Sequence, residues 1–164
     1  MQRVTVKCIK VTVFIYNNKI MFSIFKKLYY RWKYRNCNQK TSFFTMKNVK
    51  VWAKIVHVYD GDTVHAVFKH PGTSKIYKYK IRLSHIDTPE LNSKNKKEVV
   101  KALAAKNVVV DKILNKIVYM EIDGEDKYGR LLGNIFIDNL NLNQYLVDKK
   151  YAYKYEGGTK MTWT

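Results

Sequence analysis

From Val49 onward apolar residues fall on alternate positions, the period of a strand with one buried face. In VKVWAKIVHVY, residues 49–59, Val49, Val51, Ala53 and Ile55 share a face. The turn signal DGD at Asp60–Asp62 leads into a second strand, TVHAVFK. HPGTSK is a loop turning at Pro71–Gly72, and IYKYKIRL is a third strand. There Tyr77, Tyr79, Ile81 and Leu83 face one way, and Lys78, Lys80 and Arg82 the other.

The period then becomes helical. Val99, Leu103, Val110 and Leu114 define one face of a helix predicted over about residues 94–115. IVYMEI and LLGNIFID are a fourth and a fifth strand, joined by the polar loop DGEDKYGR. Asn141 is placed to cap a short last helix that packs Leu142, Tyr145 and Leu146, and the tail YEGGTKMTWT has no helical period. Three strands, a helix, two strands and a helix predict a mainly β, α+β domain. Its expected form is a five-stranded OB-type barrel with one helix plugging an end and a short C-terminal helix.

Residues 1–45 follow another pattern. VTVFIY is apolar but too short to span a bilayer, and no small-residue cleavage site follows it, so neither a transmembrane segment nor a signal peptide is expected and the compartment is left open. In IFKKLYYRW, Ile24, Leu28 and Trp32 recur at helical spacing among Lys26, Lys27, Arg31 and Lys33. This predicts either a basic amphipathic helix for a membrane surface or nucleic acid, or a poorly ordered extension. The expected division is a basic, aromatic-rich extension over 1–45 and a barrel domain over 46–164.

Charge narrows the partners. The 164 residues carry 31 Lys and Arg against 13 Asp and Glu, a net charge of +18. No acid precedes Asp60, while the first 45 residues hold ten bases. Such an excess suits a polyanion, with nucleic acid the first expectation and an acidic membrane surface the second. Cys8 and Cys37 fit no metal or disulfide framework.

The densest chemistry is IRLSHIDTPE, residues 81–90. Arg82 and Asp87 have opposite parity on a straight strand, so they serve one site only if the chain bends between them. Pro89 favours a bend by keeping Thr88 out of helical geometry, which is expected to expose Asp87, the Thr88 carbonyl and Glu90 at the barrel rim. Crowded carboxylates stay ionised beside a cation, and their oxygens suit calcium or magnesium. Asp60 and Asp62 add two more carboxylates. Taken singly, these acids read equally well as turn and helix-cap residues. Arg82 and Arg130 offer planar forks for a phosphate. His57, His65, His70 and His85 are read as strand or loop residues without a catalytic part.

YDGDTV, IRLSHIDTPE, DKYGR and LNLNQYLV, in that order and at those separations, resemble the thermonuclease, or staphylococcal nuclease, family over about residues 49–155. The resemblance implies a calcium-dependent nuclease that cuts DNA or RNA on the 5′-oxygen side and leaves 3′-phosphate ends. It implies Asp62, Asp87 and the Thr88 carbonyl as calcium ligands, with Asp60 in or just beyond that shell. Glu90 would be the general base, and Arg82 and Arg130 would grip the phosphate. Lys127 and Tyr128 would contact a terminal phosphate, and Tyr155 or Tyr153 would stack on a base. A monomer is expected. The alternative is a non-catalytic module on the same barrel, binding nucleic acid or protein. Such modules typically lack one or more of these acids and arginines, which are all present here. Two departures stand out: the family's third C-terminal helix has no counterpart before Thr164, and Lys150 stands where a glycine usually ends the last helix, which predicts a strained positive φ.

Overall fold

A computed structural model describes residues 21–158 and 162–163. The chain forms two compact units, Met1–Phe43 and Phe44–Thr164. In the first, residues 21–33 are helical (α1). Bases lie over its aromatic rings: the Lys33 ammonium is 5.9 Å from the Tyr29 ring and the Arg35 guanidinium 4.8 Å from that of Trp32. The segment VTVFIY lies outside the described residues. Among the described residues no helix is long and apolar enough to cross a membrane.

The second unit is a closed barrel. Its strands are β1 (Val49–Val58), β2 (Thr63–Lys69), β3 (Ile76–Leu83), β5 (Ile117–Glu125) and β6 (Leu131–Ile137). The order β3-β2-β1-β5-β6 is antiparallel throughout, and a parallel pairing of β3 with β6 at Ile81, Arg82 and Leu83 closes it. The short strands β4 (Ile86–Asp87) and β8 (Tyr153–Lys154) pair beside it, and β7 (Leu140–Asn141) extends β6 as a hairpin. Alternation supplies the core, with Ile55, Val64, Ile81, Met120 and Ile135 fully buried and each contributing about 1.5–3 kcal/mol by leaving water. A bulge between Ile55 and His57 resets the parity of β1, so Val58 is again buried.

Helix α2 (Lys96–Ile113) starts at Asn95, whose side chain accepts from the Lys97 amide, and α3 (Leu142–Asp148) starts at Asn141 in the same way. The predicted inner face of α2 holds in part: Val110 and Leu114 pack, half-buried, against the core, but Leu103 does not. The buried residues of α2 are Ala102, Ala105, Val109 and Ile113, while Leu103 is 48% exposed. Val109 and Ile113 enter the barrel core, and Ala105 lets the helix approach Gly61 of the Asp60–Asp62 turn closely. A Cβ on Gly61 would lie 3.0 Å from those of Ala105 and Thr88. At the end of α3, Lys150 has φ +62°, as the missing glycine predicts. The Tyr151 and Lys150 amides donate to the Leu146 and Val147 carbonyls, which makes a Schellman cap closed by a lysine.

Candidate nucleic-acid cleavage site

The site grows from two turns at one end of the barrel. In the β1–β2 turn, Asp60 Oδ1 accepts the amides of Asp62 (3.0 Å) and Thr63 (2.7 Å), which ties its side chain to the turn backbone. In the second, β3 ends at Leu83, and Ser84–His85 reverses the chain with His85 at φ +61°. That turn, rather than Pro89, brings Arg82 and Asp87 together despite their parity. Asn143 holds it in place. Its buried amide donates to the Ser84 carbonyl (3.0 Å) and the Gly133 carbonyl (3.2 Å), and its oxygen accepts from Ile135 N.

Arg82 joins the two turns. Its guanidinium donates to Asp62 Oδ1, to Asp87 Oδ1 at 3.0 Å and to the Ile86 carbonyl at 3.3 Å. Asp62 also accepts from the Thr63 hydroxyl (3.0 Å) and from the Thr88 amide and hydroxyl (3.1 and 3.0 Å). The expectation that Asp87 and Thr88 stand exposed is corrected. Both are buried, because β4 pairs with β8 and Arg82 covers the carboxylates. Glu90 is exposed on the cleft wall, and its amide donates to Glu98 Oε1 at 3.1 Å. Glu98 also takes the Ser93 hydroxyl at 2.5 Å, so the first turn of α2 holds the loop that carries Glu90.

A cleft of about 730 Å³ collects Asp60, Asp62, Arg82, Thr88, Glu90 and Arg130 on its walls, with Lys127, Tyr128 and Tyr155 at its edge. Asp87 lies behind Arg82 and does not line it. Tyr153 is also elsewhere, paired with Asp87 in the β4–β8 ladder and stacked on Trp163 at 4.0 Å. Tyr155 remains as the stacking candidate, anchored by its amide on the His85 carbonyl and its hydroxyl on the Gly158 carbonyl. Arg130 is aimed by Asp126, which accepts its Nε at 2.7 Å and its amide at 2.9 Å. The Arg130 guanidinium and the Lys127 ammonium lie 5.7 and 5.1 Å from the Tyr128 ring.

The acidic end of the site gathers Asp60 and Asp62 in one turn and Asp87 in the other, with the Arg82 guanidinium bridging Asp62 and Asp87. Burial, then the charge of Asp62, raises the Asp60 carboxyl above its ordinary range, and the turn amides offset this only in part. Burial disfavours the charge on Arg82, but Asp62 and Asp87 outweigh it and hold the guanidinium protonated. Burial likewise pushes Asp126 up, yet the bonds from Arg130 and the Tyr128 amide prevail and keep it below the usual carboxylate range.

Among the described residues no three carboxylate, imidazole or thiolate groups gather as a ready-made metal site. The donor set nevertheless suits a hard dication: the carboxylates of Asp62 and Asp87, both buried, with Thr88 bonded to Asp62. Four residues escape sequence reasoning: Glu98, Asp126, Asn143 and His85. The last bonds Glu156 across the cleft rim at 2.8 Å. Only Asp126 leaves a local signal, four residues ahead of Arg130.

Comparison with known proteins agrees with this geometry. The family described as staphylococcal nuclease homologues matches residues 80–162. An uncharacterized protein of Methanocaldococcus jannaschii is 31% identical over 76% of this chain and 67% of its own length. An uncharacterized endonuclease of Haemophilus influenzae is 29% identical over 63% of this chain and 52% of its own. A probable staphylococcal-like nuclease of Oryza sativa subsp. japonica is 37% identical over 48% and 22%. The chain thus spans between about a fifth and two thirds of these curated relatives. A closed five-stranded barrel, a carboxylate pair bridged by Arg82 at its end and the match over residues 80–162 converge, and the chain belongs to the staphylococcal nuclease homologue family.

Proposed function

We propose that this protein is a calcium-dependent nuclease that hydrolyses phosphodiester bonds of DNA or RNA and leaves 3′-phosphate ends. The observation that carries the reading is the buried Asp62–Arg82–Asp87 bridge opening onto a cleft that also presents Glu90 and Arg130. A binding module has no need of a base and two guanidinium forks around one space. Asp62, Asp87 and the Thr88 carbonyl would hold the calcium, with Asp60 beside them. When bound, the ion supplies Lewis-acid stabilisation of a phosphate oxygen.

Asp62 accepts four hydrogen bonds, as many as a carboxylate has lone-pair sites, so a bound ion would take the place of one donor there. Arg82 is that donor in this reading. Its fork would then be available to the phosphate. Glu90 takes a proton from the attacking water as the water oxygen bonds to phosphorus, and the bond from phosphorus to the 5′ oxygen breaks, that oxygen taking up a proton from solvent. Arg130, pre-aimed by Asp126, stabilises charge that grows on the phosphate oxygens. Lys127 and Tyr128 take a neighbouring phosphate, and Tyr155 a base. The bases of residues 1–45 add polyanion attraction without entering the chemistry.

The test is a digest of single-stranded DNA and of RNA with calcium and again with chelator, followed by analysis of product ends. Calcium-dependent products bearing 3′-phosphates are expected. Full activity after exhaustive chelation removes calcium from the scheme, and 5′-phosphate ends overturn the assigned direction of attack.

A further inference from the structure

The outer surface of β1, β2 and β3 carries a basic strip that begins in the cleft. Alternation along β3 sends Ile81 and Leu83 into the core and turns Arg82, Lys80 and Lys78 outward. Register sets Lys80 beside His65 and His65 beside His57, with the two imidazole centroids 5.1 Å apart. One row further, Lys78 faces Val67, and Val67 faces Lys54. Trp52 follows on the same face, 69% exposed. None of the three strands contains an acid. A merely solvated face mixes charges of both signs; this one carries only bases between Arg82, which the cleft carboxylates hold, and Trp52, beyond which Lys50 pairs with Glu121 of β5.

We propose that this face is a track for the phosphates of a single-stranded polynucleotide whose scissile bond lies in the cleft. The proposal rests on the nuclease reading for the contents of the cleft. Outward residues on one strand recur every ~6.6 Å, a scale on which successive phosphates of an extended single strand also recur. Lys80 and Lys78 take two phosphates in line with the one at Arg82. His57 and His65 flank the first of them, and Trp52 offers a ring on which a base stacks. A narrow strip across three strands, ending at a phosphate-binding arginine, suits a single strand better than a flat lipid surface.

The histidines give the track its own signature. Burial, then the positive neighbours His57 on β1 and Lys78 and Lys80 on β3, hold His65 below the ordinary histidine range. No carboxylate on these strands opposes them. A phosphate in the track relieves that repulsion, so binding takes up a proton and strengthens as pH falls.

The test uses the full chain in chelator, where binding is read without cleavage, by fluorescence anisotropy of labelled oligothymidylates about 20 and about 3 nucleotides long. Lys78→Gln/Lys80→Gln is expected to weaken the long oligomer about tenfold near 0.1 M salt and to flatten its salt slope by about 1.4, two phosphate contacts' worth. The short oligomer, confined to the cleft, keeps its affinity. His57→Gln/His65→Gln is expected to remove the gain in affinity between about pH 7.5 and 6. Unchanged affinity and slope for the long oligomer overturn the track. Equal weakening of both lengths overturns it too, since the lysines would then act on the cleft. Loss of binding to anionic phosphatidylserine vesicles with normal oligomer binding assigns the face to membranes instead. Because no step needs turnover, a protein that binds as expected but cuts nothing refutes the nuclease reading and leaves the track standing.

Discussion

Replacing Arg82 by methionine tests the proposed metal site without using activity. Methionine keeps much of the aliphatic stem and removes the guanidinium that neutralises Asp62 and Asp87, whose side chains are only 5% and 6% exposed. Breaking a buried pair by deleting one partner costs about 3–5 kcal/mol. The low end applies here, because three other donors, from Thr63 and Thr88, still reach Asp62. A loss of about 3 kcal/mol lowers the Tm of a unit this size by about 10 °C. Calcium should return part of that loss. In the proposed site the ion would compete with Arg82 for Asp62 in the native protein and would meet no guanidinium there in the variant. Calcium at 100 times its Kd adds about 2.7 kcal/mol. The assay is urea or thermal unfolding of both proteins, in chelator and across a calcium series. The expected outcome is a variant that is less stable without calcium and gains more from it than the native protein. A variant as stable as the native protein in chelator, or one that calcium stabilises no more, would falsify the account of Arg82 as the occupant of a cation site.

Four further outcomes follow from the same geometry. Glu90→Gln keeps the loop, since the Glu90 amide rather than its carboxylate bonds Glu98, and should lower kcat about 10²–10⁴-fold; an unchanged kcat on a saturating oligonucleotide removes Glu90 from the chemistry. Asp126 has its folded pKa depressed, so its pairing with Arg130 contributes stability above the unfolded value of 3.8 that is lost as pH falls through the folded value; in unfolding curves below pH 4, Asp126→Asn should lose less stability with acid than the native protein. Asp60 has its carboxyl raised, which penalises the folded state at neutral pH; Asp60→Asn keeps an oxygen for the turn amides and should stabilise the chelated protein while weakening calcium binding, measured by calorimetry. Lys150→Gly relieves a left-handed residue and should raise stability by about 1 kcal/mol, and a loss in chemical denaturation would show that the lysine side chain matters more than its backbone.

How far the sequence reveals this protein depends on the range of the interaction. Strands β1 to β3, β5 and β6 are legible because alternation is local, and Asn141 announces α3 because a cap bonds its own neighbours. The inner face of α2 is partly misread, because apolar size is a poor guide where a helix must come close: Ala102 and Ala105 face in and Leu103 faces out. The parallel β3–β6 closure and the β4–β8 pairing join distant segments and leave no local period. The same holds for the site. Asp62, Arg82, Asp87, Glu90 and Arg130 sit in recognisable motifs, whereas Glu98 and Asn143 act through contacts that only the fold creates. The Ser84–His85 turn is hidden for another reason, since a histidine at positive φ carries no glycine to mark it.

The β4–β8 pairing also sets a timetable. Asp87 is framed by Tyr153, which is itself covered by Trp163, and the His85 carbonyl takes the Tyr155 amide. Those partners leave the ribosome roughly 65 residues after Asp87 does, a gap of several seconds at about 5–20 residues per second. During that interval the barrel's first three strands are already made, but the wall behind Arg82 is not. In the nuclease reading, a nascent chain therefore lacks the backing of Asp87 until β8 has emerged, well after Asp62, Arg82 and Glu90 themselves.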